Sequence, residues 1–381
     1  MTDKGNPYLD FSDETCNQFI KLMLLLYADD TVVFSNSPTG LQKCLDDLYI
    51  YCNKWKLTVN SNKTKIIIFC KRKTKGNLKF IFDSNELEIV NEFQYLGVTF
   101  NSKGNFSDNQ TKVKSKATRA MFALLSKRRT MNLPIDIMLE MFDRTIVPIM
   151  LYGSEVFGYE NCKFIENIHL KFCKYLLCVK PSTPSCMVYG VLGRKPIDID
   201  VKTRVVMYWI KILQSHVTKV NRIFYDVLFI MYKENTYHSK WLDFVRKTLF
   251  ENGFGYIWLN QAENINQQAF KCMLKERLTD QYKQTWSHTV NDSRKCILYK
   301  NVKHSLEFEI YLCKIQWNLC KYLVRLRLCN HKLRIETGRY ENIDRHERYC
   351  DMCDQDVIGD EFHLFYECKN VTIVEARLKF L

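Results

Sequence analysis

Tyr27-Ala28-Asp29-Asp30 stands between two apolar runs, Leu22 to Leu26 and Val32 to Phe34. The pattern predicts two short strands joined by a tight turn. Aspartate is disfavoured inside strands and favoured in turns, so the paired carboxylates fall at the hairpin tip. Two carboxylates on a rigid tip suit magnesium, a hard cation that takes oxygen ligands. Such an ion serves phosphoryl or nucleotidyl transfer through a two-metal arrangement. The bland alternative is an acidic surface turn, and the apolar strands on both sides argue against it.

Working outward, Gly40 to Trp55 reads as a helix, because Leu41, Leu45, Leu48 and Cys52 recur at the spacing of one buried face. Ile66 to Cys70 and Lys79 to Phe82 read as strands, and Asn85 to Phe100 supplies the last short ones. Gly97 inside that run marks a bulge or a close backbone approach; a plain hairpin glycine is an equally good reading.

Taken with Leu57-Thr58-Val59-Asn60-Ser61-Asn62-Lys63-Thr64-Lys65, Phe93 to Phe100, Val147 to Glu155 and Ile335 to Tyr340, in that order, the hairpin resembles the reverse transcriptases of non-LTR (LINE-type) retrotransposons. The resemblance runs from about Leu22 to Cys368. It implies an RNA-directed DNA polymerase palm in which Asp29 binds both magnesium ions. Asp30 would support it from behind or as a weaker ligand. Lys63 would sit near the leaving pyrophosphate as a proton donor, which makes Asp29, Asp30 and Lys63 the catalytic candidates. Phe93 to Phe100 would approach the primer terminus.

A two-metal polymerase also needs a third carboxylate on a neighbouring strand. In the family it lies well upstream of the hairpin. Here Asp3, Asp10, Asp13 and Glu14 occupy a polar stretch without a strand pattern, and no fingers sequence is present. The expectation is a truncated palm, inactive in polymerisation by itself, that retains nucleic-acid binding. A host protein domesticated from such an element is a second reading, and an incomplete stretch of a full enzyme is a third.

The chain has 381 residues, 46% of them hydrophobic, enough for two or three domains with substantial cores. This composition excludes an intrinsically disordered chain. A formal charge of +14 points to a polyanion partner, RNA or DNA of template-primer type. Neither a signal core nor an apolar stretch of bilayer length is present, so the expected compartment is nuclear or cytoplasmic and reducing. Cys52, Cys70, Cys162, Cys173 and Cys178 then read as small buried hydrophobes.

From residue 105 the signs of the charges become informative. Lys112, Lys114, Lys116, Arg119, Lys127, Arg128 and Arg129 fall in a segment with no acid between Asp108 and Asp136. Val113, Ala117, Ala120 and Leu124 form one helical stripe, while Lys112, Lys116 and Arg119 form another. A helix of this kind packs with one side and meets phosphates with the other. Residues 161–334 are helical in pattern, with Trp209, Trp241, Trp258 and Trp286 assigned to cores. His169, His216, His238, His288 and His304 are isolated and carry no assigned role.

Near the C-terminus Cys350, Cys353, His363 and Cys368 form a C-x2-C-x9-H-x4-C pattern. Thiolates and imidazole are ligands that zinc prefers, and a two-residue gap lets both sulfurs face one ion. Roughly one C-x-x-C pair arises by chance in so cysteine-rich a chain, so the added His and Cys carry the signal. The retrotransposon resemblance implies a zinc knuckle at this place. Arg339, Tyr340, Arg345, Arg348 and Tyr349 lead into it, basic and aromatic residues suited to single strands or structured RNA. The expected fold class is α+β. It comprises a partial palm with antiparallel strands (1–104), a helical thumb (105–160), a helical region (161–334) and a zinc-knuckle-like tail (335–381).

Overall fold

The computed structural model describes residues 24–27, 29–70 and 78–379, with only the backbone given for Leu24, Leu25, Leu26, Arg129 and Arg294. Asp3, Asp10, Asp13, Glu14 and Ala28 lie outside these residues.

Strands β1 (Leu24–Tyr27) and β2 (Asp30–Val33) pair antiparallel, with Tyr27 opposite Asp30. That register leaves a two-residue turn in which Asp29 stands. Helix α1 (Pro38–Trp55) follows, capped by the Ser37 side chain, which accepts from the Gly40 amide at 3.1 Å, and closed by Lys56 in the left-handed region. Three short pairs complete the β part. β3 (Lys65–Ile66) pairs with β6 (Glu88–Ile89), β4 (Ile81–Phe82) with β5 (Asn85–Glu86), and β7 (Glu92–Tyr95) with β8 (Val98–Asn101). The β3–β6 pair is parallel, whereas the other three pairs are antiparallel as expected.

The remainder is helical, with mixed α+β content overall. Its main elements are α2 (Ser107–Met131), α3 (Ile135–Leu151), α4 (Lys163–Leu177), α5 (Ser185–Val191), α6 (Asp198–Leu213), α7 (Val220–Lys233), α8 (Lys240–Glu251), α9 (Gly255–Leu259), α10 (Gln267–Asp292), α11 (Trp317–Arg327) and α12 (Val371–Leu378). The chain forms two compact units, each drawn from three stretches. One comprises Met1–Lys116, Met150–Cys162 and Asp200–Lys275; the other comprises Ala117–Ile149, Lys163–Ile199 and Glu276–Leu381.

In the first unit, Leu45 from α1 packs with Ile66, Phe80, Phe82 and Leu87, and Leu41 and Leu48 close over them. The apolar run Ile66 to Cys70 does not continue as a strand, since β6 offers only two residues to pair with β3. Phe69 and Cys70 are therefore exposed, as is Cys178, which caps α4 in the left-handed conformation; neither cysteine is the buried hydrophobe expected. Cys52 and Cys173 are buried.

At the β7–β8 turn Leu96 and Gly97 both have positive φ, 46° and 81°, the signature of a type I′ hairpin whose twist matches its strands. The Tyr152 hydroxyl donates to the Leu96 carbonyl at 2.8 Å, and a Cβ built at Gly97 would lie 2.7 Å from the Tyr152 ring. Gly97 is thus a hairpin glycine, with a ring and not a second backbone closing on it, and it marks no bulge.

The second unit is pinned by a polar network around the buried His169, a residue that the sequence left without a role. Glu166 accepts from the Tyr189 hydroxyl, from the Ile197 amide at 3.0 Å and from His169 Nδ1 at 3.3 Å. His169 Nε2 in turn accepts from Arg194 Nε at 3.1 Å, and Arg194 forks onto Asp143 at 2.6 and 2.5 Å. The imidazole, fully buried, lies between the rings of Phe142 and Tyr189. Burial, reinforced by the Arg194 charge, outweighs Glu166 and holds the His169 pKa below its ordinary value. Burial opposes ionisation of Glu166, but the His169 and Tyr189 hydrogen bonds and the Ile197 amide hold its carboxyl below the usual range.

His169 is therefore neutral in the fold, and its contribution is complete above the unfolded histidine value of about 6.5. Below that pH the unfolded chain binds a proton that the fold refuses, so stability falls; protonation of Glu166 adds a further loss below about 4.3. The thermal midpoint should hold between about pH 8 and 7 and drop from about 6.5 to 5. His169→Gln should lower the midpoint at neutral pH and flatten that drop. Equal pH slopes for parent and variant would remove His169 from this account.

Candidate functional site

Asp29 and Asp30 are both exposed at the tip of the first hairpin, beside Tyr27, which is 63% exposed. The apolar strands fix the backbone and leave the carboxylates in solvent, a setting that a hydrated magnesium ion tolerates. Their hard oxygens fit that ion, yet two carboxylates fill only part of its octahedral shell. Lys63 is exposed on the turn before β3, where its amide bonds Asn60.

Helix α2 buries Val113, Ala117, Met121 and Leu124 along one stripe, with Ala120 half-buried. Lys114, Lys116, Arg119 and Lys127 are exposed. Lys112 pairs with Glu92 at 2.9 Å. Arg128 is turned inward: it donates to the Leu176 carbonyl at 2.6 Å and its guanidinium lies 4.4 Å from the Trp317 ring centre. Burial lowers its pKa, partly opposed by Cys178 and Cys320. The Arg129 side chain lies outside the described residues.

The tail builds its cluster from a small hairpin and one irregular turn. Tyr349 bridges Ile358, and the Cys350 amide bonds the Val357 carbonyl at 2.8 Å, which reverses the chain around Cys353. A π-turn, His363–Glu367, returns the Cys368 amide to the His363 carbonyl at 2.7 Å. As a result the ligand atoms of Cys350, Cys353, His363 and Cys368 lie within 4.8 Å of one another. Sulfurs on a tetrahedral zinc ion stand about 3.8 Å apart, given Zn–S bonds of about 2.3 Å, so small shifts would seat the ion.

His363 Nε2 faces Cys353 Sγ at 3.3 Å, while the Glu367 carboxylate lies 3.7 Å from Nδ1, where it can orient a metal-bound ring. The Gln355 backbone N–H, opposed by desolvation, together with His363 and the adjoining thiols brings the Cys353 pKa down to about 7. That favours the thiolate that zinc requires. Asn370 and Arg377, unflagged by any spacing, bond the Met352 and Cys368 carbonyls and fold α12 back over the cluster. His331, a conceivable substitute ligand by type, instead pairs with Glu361 at 2.8 Å.

The basic residues leading into the tail divide by role. Arg348 donates to the Ile335 carbonyl at 2.8 Å and to the Ile343 carbonyl, and so braces the loop. Arg339 lies 3.2 Å from Glu336. Arg345 and Tyr340 are exposed, with the Lys180 ammonium 5.2 Å from the Tyr340 ring centre. Among the described residues no helix is long and apolar enough to cross a membrane.

Residues 6–100 match the family model for reverse transcriptase (RNA-dependent DNA polymerase). An uncharacterized transposon-derived protein of Caenorhabditis elegans is 28% identical over 143 residues, 36% of this chain and 49% of that protein. The RNA-directed DNA polymerase from mobile element jockey of Drosophila melanogaster is 24% identical over 165 residues, 41% of this chain and 18% of that protein. The Drosophila melanogaster protein named probable RNA-directed DNA polymerase from transposon BS is 28% identical over 167 residues, 39% of this chain and 18% of that protein. The chain thus spans about half or less of the curated relatives it matches. It is similar to the reverse transcriptases of non-LTR retrotransposons. No solved structure matches it.

The full chain should take up one zinc ion, and cobalt in its place should give the absorption of a three-thiolate tetrahedral site. Cys353→Ser should abolish that absorption, and chelation should melt the tail while the rest of the helical signal persists. Purified chain that holds no zinc, or a variant that holds as much as the parent, would make these four residues a metal-free packing cluster.

Proposed function

We propose that this chain is a working segment of a non-LTR retrotransposon RNA-directed DNA polymerase, one that binds nucleic acid through its basic helix and its zinc-held tail. The observation that carries this reading is the Tyr27–Asp30 hairpin. Its register puts Asp29 in the turn, inside the stretch that matches the reverse-transcriptase family. In this reading Asp29 and Asp30 hold magnesium in part, and the ion supplies charge neutralisation for nucleotidyl transfer. The chain's own work is to present the two carboxylates on a fixed turn and, at Lys63, a proton donor near the departing pyrophosphate. The zinc centre would be structural, holding Arg345 and Tyr340 in fixed positions for phosphate contact and stacking. The setting in this reading is nuclear or cytoplasmic and reducing, where cysteine thiols stay available to a metal ion.

These 381 residues, tested alone with magnesium, nucleotides and a primed RNA template, should extend no primer, because Asp29 and Asp30 cannot by themselves hold two ions in reactive geometry. Template-dependent synthesis that Asp29→Ala abolishes would overturn this expectation.

Binding to RNA or DNA should show little sequence preference and weaken at least roughly tenfold between about 50 and 200 mM salt. Exchange of Lys112, Lys116 and Arg119 for Glu should weaken binding further and reduce the salt slope. Unchanged affinity in the triple variant would leave the basic helix as a solvated face only.

A further inference from the structure

Helix α7 ends at Lys233, and Asn235 turns the chain back with a φ of 56°. The amides of Thr236 and Tyr237 return to the Met231 carbonyl at 3.0 and 3.2 Å. Ser239 then caps α8 by accepting from the Leu242 amide at 3.3 Å. Helices α7, α8 and α9 thereby enclose a cleft of about 590 Å³, lined entirely by residues between 229 and 259 of the first unit. This volume lies within the range of small-molecule sites, about 300 to 1,000 Å³.

Five of the eleven lining side chains are aromatic. Trp258 forms the floor, fixed by stacking on Trp209 at 5.5 Å and by the edges of Phe229 and Tyr232. At the rim Tyr237 and Phe250 are 52% and 47% exposed, flat faces with nothing of the chain covering them fully. The Lys233 ammonium lies 4.7 Å from the Phe229 ring centre, and the Arg246 guanidinium 5.6 Å from that of Phe250. The single lining carboxylate, Asp243, already accepts from the Tyr232 hydroxyl at 2.6 Å and lies 3.2 Å from His238 Nδ1. Arg246 hydrogen-bonds the Tyr232 hydroxyl, and neither Lys233 nor Arg246 has an acidic ion-pair partner among the described residues.

A purely apolar ligand would leave two cations without a counter-charge, and a bare anion would leave the rings idle. A nucleotide uses both, since a base has a π-face for aromatic stacking and its phosphate meets Arg and Lys. We infer that this cleft binds one nucleotide unit of a single strand, the base against Phe250 and Tyr237 and the phosphate between Lys233 and Arg246. The choice of a strand over a free nucleotide rests on the function proposed above; the cleft chemistry does not.

The full chain is labelled with an amine-reactive acetylating agent, with and without a uridine dodecamer RNA or uridine monophosphate, and Lys233 modification is read by mass spectrometry. The dodecamer should protect Lys233, and an Arg246→Ala, Phe250→Ala double variant should bind it about tenfold more weakly with an unchanged melting profile. Lys233→Ala, at an exposed position, provides a second variant that should weaken binding without touching the core. Protection by the monophosphate with no strand binding supports the cleft and overturns the nucleic-acid reading. A strand that binds tightly while Lys233 stays fully reactive and the variants bind like the parent overturns the cleft alone. Absence of protection by either probe, with no strand bound, overturns both.

Discussion

Glu166 is half-buried with three donors aimed at it, and partial withdrawal of a carboxylate from water is offset only when those donors arrive together. Tyr189 comes from α5, Ile197 from the approach to α6, and His169 from one turn further along α4. Arg194 extends the chain of contacts to Asp143 on α3. Once α4 is fixed, its C-terminal end becomes a docking point: Arg128 reaches the Leu176 carbonyl and Arg325 reaches that of Cys178 at 3.2 Å. Asn330 continues the line to Thr183, and His331 to Glu361 beside the cysteine-histidine cluster. The tail thus inherits its position from a carboxylate nearly two hundred residues earlier in the chain, and partial assembly of the network is penalised.

The two metal-capable places in the chain make opposite demands. The hairpin tip keeps its carboxylates in water, as suits an ion that retains part of its hydration. The tail removes His363 and Cys368 from solvent almost completely, as suits an ion that closes its shell with soft ligands and supplies folding energy. On the proposed reading the hairpin would need further ligands to complete a reaction centre, whereas the tail draws all four of its candidate ligands from nineteen consecutive residues, Cys350 to Cys368.

What could be read from sequence was local and periodic. Two apolar runs around an acidic turn gave the first hairpin, and a 3.6-residue stripe gave α1 with Leu45 and Cys52 inward. The tail cluster was legible because its ligands are close in sequence and chemically distinctive. The strand expected over Ile66 to Cys70 shrank to two residues because strand length is set by the partner, which apolarity does not reveal. His169 looked isolated since Arg194 and Tyr189 lie twenty or more residues away, and nothing in their spacing signals a meeting. Arg128 and Arg348 share the composition of their basic neighbours, yet each bonds backbone carbonyls, a distinction that only packing makes. The aromatic cleft is built from helix ends and turns, where no period exists to be counted.

The ring of Tyr152 resting on Gly97 has a consequence for how this segment can vary. The glycine is favoured twice, once by its positive φ and once by the ring above it, so any side chain there would be strained and would have to displace Tyr152. Loss of the tyrosine would relax one of these requirements and leave the other. The turn therefore tolerates change at Tyr152 more readily than change at Gly97.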